Sequence, residues 1–189
     1  MASSTRNRGI RRGSHEGASD ALAAALDELY AAPLDAFVER RRELVGKLRA
    51  AGELPASRLV GAVGKPTRTA WGLNQVARRH PELLRAVFEA RDAAVAAQKR
   101  GDVESVRVAT RAYRERVADI VRAARSALLD SGVDASATQA RVEGRRIGET
   151  LQAAHAEDSA TRERLLAGRL TRDIEVEDPF AGLETSAAG

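Results

Sequence analysis

A chain of 189 residues, 43% apolar but only 3% aromatic, holds enough Ala, Leu and Val for one packed core and argues against a stacking platform for single-stranded nucleic acid. The lack of cysteine excludes disulfides and thiolate metal sites, and no apolar run approaches the ~20 residues that span a bilayer, so a cytoplasmic protein without membrane contact is expected. Lys and Arg outnumber Asp and Glu by 31 to 27, yet only Lys47, Lys65 and Lys99 are lysines; GC-rich coding yields such Arg-rich composition, which weakens the basic charge as a sign of nucleic acid.

Residues 1–19 carry Arg6, Arg8, Arg11 and Arg12 with Ile10 as the one large apolar side chain after the initial Met, and are expected to form a disordered basic tail. A short first helix is predicted from Asp20, its N-cap, to Tyr30. Pro33 opens a second, along which Leu34, Phe37, Val38, Leu44, Val45 and Leu48 line one side before Gly52. Residues 55–63 predict a brief third helix closed by Gly64. Pro66 opens the fourth, which runs to Arg79, and His80-Pro81 breaks it and starts a fifth that turns Leu84, Val87, Phe88 and Val95 inward before Gly101.

Asp102 caps the longest predicted helix, 103–130. Its Val103, Val106, Thr110, Tyr113, Val117, Ile120, Ala124 and Ala127 recur in alternating steps of three and four, a coiled-coil-like seam. After Gly132 the rhythm repeats with Ala137, Ala140, Gly144, Ile147, Leu151 and Ala154. Small residues suit close approach, so the two seam helices are expected to pair antiparallel as a spine. A short helix over 159–168 ends at Gly168. The expected fold is therefore all-α, an antiparallel helical bundle over 20–172 with two long seam helices. It lies between the basic tail and an acidic C-terminal tail, 173–189, whose anchors are Phe180 and Leu183.

Chemistry-bearing patterns are sparse. His15, His80 and His155 lack the Glu-x-x-His spacing of di-iron bundles, and His155, beside the second seam, reads as a structural histidine. Glu39 with Glu43, and Glu115 with Asp119, stack carboxylates on a helix face but are interleaved with arginines, as solvated ion-pair faces are. Gly64-Lys65 lacks the first glycine of a Walker loop. No enzyme, cofactor, metal or small-molecule substrate is expected.

The stretch GKPTRTAWGLNQVARRHP, residues 64–81, is the most particular. Helical spacing puts Ala70, Trp71, Asn74 and Ala77 on one side, with Arg68, Gln75, Arg78 and Arg79 mostly elsewhere. In one reading Trp71 plugs the bundle and Asn74 or Gln75 bonds a backbone segment, since buried amides need partners. In the other, residues 55–79 form a helix-turn-helix that offers Arg68, Asn74 and Gln75 to base edges.

Three blocks, LYAAPLDAFVERRRELVGKLRAAGE at 29–53, VGKPTRTAWGLNQVARRHPEL at 63–83 and GETLQAAHAEDSATRERLLAGRLTRDIE at 148–175, resemble a family of uncharacterised helical proteins from high-GC bacteria. The resemblance implies a single helical unit and singles out Lys65, Pro66, Thr67, Trp71, Asn74 and Gln75, together with Arg169, Thr171 and Arg172 of a C-terminal Gly-Arg-Leu-Thr-Arg motif. It implies no activity, and residues 1–19 lie outside it. The expected function is a non-catalytic interaction module that engages another helical protein or its own copy; nucleic-acid binding by the basic tail or by the helix after Gly64 is the alternative.

Overall fold

The computed structural model describes residues 8–134, 136–156 and 159–173, and every regular element among them is a helix. In chain order these are α1 (Arg8–Ala31), α2 (Phe37–Ala50), α3 (Leu54–Ala62), α4 (Arg68–Arg79), α5 (Pro81–Lys99), α6 (Val103–Asp130), α7 (Ala137–Ala156) and α8 (Ser159–Leu166). The fold is the all-α bundle expected, and none of these helices is long and apolar enough to cross a membrane.

Three expectations are corrected. The chain forms two compact units, Met1–Lys65 and Pro66–Gly189, rather than one bundle over 20–172. Each unit closes a core from its own helices, around Leu29, Phe37, Leu44 and Val60 in the first and around Leu73, Leu84, Ile120, Leu151 and Leu165 in the second. Second, α1 begins at Arg8, inside the stretch expected to be disordered. Once the Ala- and Leu-rich part of a helix has nucleated, each further residue adds a backbone hydrogen bond, so the helix propagates into a sequence poor in apolar side chains. Residues 1–7 of the basic tail, and all of the acidic tail except Asp173, lie outside the described residues.

The third correction concerns the spine. The most extensive helix pairing joins α6 to α5 and not to α7. A turn with Gly101 at φ +70° folds α6 back on α5, and the Asp102 carboxylate caps α6 by accepting the Ser105 N–H at 3.0 Å. The Ser105 hydroxyl, which also donates to it, and then that N–H hold the Asp102 carboxyl below its ordinary range. α7 meets the C-terminal half of α6, where a Cβ on Gly144 would lie 3.4 Å from Val121 and one on Gly148 3.9 Å from Val117. The seam of α6 is accordingly buried at Ile120, Ala124 and Ala127 but only half-buried from Val106 to Val117.

In the first unit, Tyr30 meets Phe37 edge-to-face at 5.9 Å, and Arg40 bridges Glu28 of α1 and Glu43 of α2. The Arg41 guanidinium donates to the Val63 carbonyl just past α3, taking up one of the acceptors that a helix end leaves over.

Candidate functional site

α4 is buried without a break from Thr69 to Ala77, so it is the central helix of the second unit and has no solvent face along that length. Its start is fixed by Thr67, whose hydroxyl accepts the Ala70 N–H at 3.1 Å. The same hydroxyl donates to Asp173 Oδ1 at 2.5 Å, and the Thr67 N–H donates to the Thr171 carbonyl at 3.1 Å. Asp173 also receives Arg146 Nη1 at 3.4 Å.

About two turns further on, Asn74 continues the contact. Its Nδ2 donates to the Leu170 carbonyl at 2.8 Å and its Oδ1 accepts the Leu170 N–H at 2.8 Å, so a fully buried side-chain amide pairs with a backbone amide as one strand would with another. The segment can lie this close because Gly168, which begins it after α8, takes φ +65° and carries no Cβ; one there would come within 3.1 Å of the Asn74 carbonyl and 3.2 Å of Arg78 Cγ. The two motifs singled out in the sequence therefore meet: α4 clasps residues 168–173 through Thr67 and Asn74.

The remaining motif residues divide plainly. Trp71 is buried to 1% exposure and Gln75 to 2%, and Pro66 is buried. Arg78, Arg169 and Thr171 are half-buried; Lys65, Arg79 and Arg172 are exposed, with Arg79 Nη1 4.0 Å from Asp130. Arg68 is held by the buried Glu143, and its Nη2 donates to the Asp134 carbonyl at 3.3 Å. The helix-turn-helix expectation is corrected here. Asn74 and Gln75 point into the core and Arg68 is engaged by Glu143, so none of the three is presented to a base edge.

His155 of α7 is stacked on Phe88 with ring centroids 6.5 Å apart, and its Nδ1 lies 3.6 Å from Asp92 Oδ1. Burial pushes its pKa below the ordinary histidine value; Asp92 opposes that shift, while Arg91 and Arg162 add to it. Arg162 covers the Phe88 ring at 4.2 Å, completing a cation–π, ring and carboxylate stack that pins α8 to α5. Burial likewise raises the Tyr113 phenol, against the charge of Arg91 at 5.8 Å from its ring. Among the described residues no group of His, Asp and Glu has the arrangement of a metal site.

Two open surfaces were not anticipated in the sequence. A groove of about 610 Å³ runs between α4, α6 and α7, floored by Gly72, Ala124, Gly144 and Ile147. A shallower one of about 400 Å³ lies along the α5–α6 hairpin beside Ala93, Val108, Ala109 and Ala112. The signal for the first was present as the small residues of the α6 and α7 seams, which read as a close helix contact and here leave a channel as well. Compared with known families, curated proteins and solved structures, the chain matches no family model, no curated protein and no solved structure, so the functional argument rests on its own sequence and structure.

Proposed function

We propose that the protein is a non-catalytic helical interaction module of the cytoplasm and that it associates with a second copy of itself through the α5–α6 hairpin. The observation that carries this reading is the exposed apolar side of the α5–α6 hairpin. Val103 is 80% exposed, and Val108, which lies off the seam, is 58% exposed beside an alanine-lined groove. Exposed valines beside a groove lined by small side chains form the kind of apolar helical surface another helix pair covers. Arg100 and Glu104 sit on the rim of that groove, Glu104 paired with Arg107 of its own helix, so the apolar side chains are left to carry the contact.

The non-catalytic part of the reading is supported by what the distinctive side chains do. Thr67, Asn74 and Arg68 are committed to internal bonds, and His155 to a ring stack. Sedimentation of the full chain over a range of concentration tests the reading: a concentration-dependent dimer is expected, reduced to monomer by Val108→Glu. The alternative is tested separately by titrating mixed-sequence duplex DNA at several salt concentrations: affinity that falls steeply as salt rises favours phosphate binding by the basic residues of the first 19.

A further inference from the structure

We propose that the groove between α4, α6 and α7 binds an amphipathic anion, a single apolar chain ending in a carboxylate. The proposal is independent of self-association, because the groove shares no residue with the hairpin surface. Its volume, about 610 Å³, lies within the roughly 300–1,000 Å³ of small-molecule sites, which occur between the helices of bundles and are mostly apolar with a few polar groups. Val121, Ala124, Leu128, Ala140 and Ile147 line it with methyl and methylene groups, and Gly72 and Gly144 contribute no side chain at all, which gives an unbranched chain a continuous apolar bed.

The charge at its edge selects the sign of the head group. Four charged side chains line the groove: Arg68, Glu143, Arg125 and Arg141. Glu143 is buried, and Arg68 and the Gln139 amide meet its charge, so that pair adds little net field. Arg125 of α6 and Arg141 of α7 are exposed, and among the described residues neither has an ion pair or a side-chain hydrogen bond. Two uncompensated guanidinium groups from different helices beside one apolar channel match a planar carboxylate, which a guanidinium receives through paired N–H donors. The hydroxyls of Thr69 and Thr138 line the same groove.

The test is calorimetric titration of the full chain with dodecanoate below its micelle concentration, beside dodecanol and dodecyltrimethylammonium. Saturable binding of dodecanoate is expected, with weaker binding of the alcohol and weaker still of the cation. The double variant Arg125→Gln, Arg141→Gln should weaken dodecanoate about tenfold, as the loss of two partly exposed charge contacts implies, and leave the alcohol unchanged. Ala140→Trp, which fills the groove from a half-exposed position, should abolish binding of both with helical content retained; if that variant fails to fold, the arginine pair decides. The proposal is overturned if dodecanoate does not bind, if alcohol and carboxylate bind equally, or if the double variant binds as the parent does. Capture of the protein by phosphatidylglycerol vesicles without binding of free dodecanoate also overturns it, since the contact is then with a lipid surface and not with a chain in the groove.

Discussion

Asn74 is the residue on which the second unit turns. A buried side-chain amide that satisfies both groups of a buried backbone amide does what a strand neighbour would do, within a fold whose described elements are all helices. Asn74→Ala removes both bonds and leaves the Leu170 N–H and C=O buried and unpaired, at about 1–3 kcal/mol each, so a loss of about 2–6 kcal/mol in urea unfolding is expected. That a buried amide at this position needs a backbone partner was legible in the sequence, from its place beside Trp71. The partner was not, because Leu170 lies 96 residues away and nothing local records the pairing.

His155 gives a second expectation at the residue scale. Its folded pKa is depressed, so as pH falls the unfolded chain takes up the proton first and stability drops. The contribution is complete above the ordinary histidine value of about 6.5 and is lost as pH falls from there through the folded value. The facing groups set its size: Asp92 and Arg91 on α5 and Arg162 on α8. The melting temperature should therefore fall between about pH 7 and pH 5, and His155→Gln should flatten that part of the profile. A wild-type slope equal to that of the variant contradicts the assignment.

At the scale of elements, the helix boundaries set by local chemistry could be read from the sequence: Pro81 after His80, Gly101 before the Asp102 cap, and Gly168 after α8. Each rests on a backbone requirement that one or two residues announce. α4 was legible as a helix with Trp71 and a buried amide inward, but not as one enclosed on every side, since Thr69 and Gly72 read as polar or small and only the fold shows them buried as well. The start of α1 was misjudged for a related reason. Composition measures whether side chains can build a core, whereas a helix end needs only its own backbone bonds. Removing residues 1–19 takes away 8–19, half of the 24-residue α1, and should lower the far-ultraviolet helical signal accordingly. An unchanged signal would return that stretch to the disordered tail first expected.

For the whole molecule, composition and rhythm indicated an all-α bundle, while the division at Lys65 left no mark in the sequence. Gly64-Lys65-Pro66 reads as a helix junction like the others, and only the separate closure of two cores distinguishes it. The two seam rhythms were correct as patterns, but a pattern does not say how much of a seam its own chain covers. The exposed side of the α5–α6 hairpin, where Val103 and Val108 stand beside an alanine-lined groove, is the surface on which the functional proposal depends. Sedimentation velocity of the full chain and of Val108→Glu, at low salt and at roughly 1 M NaCl where the Debye length is about 3 Å, tests that most directly. A dimer that persists at high salt in the parent and is lost in the variant is predicted; a monomer at every concentration, or a dimer indifferent to Val108→Glu, would contradict it.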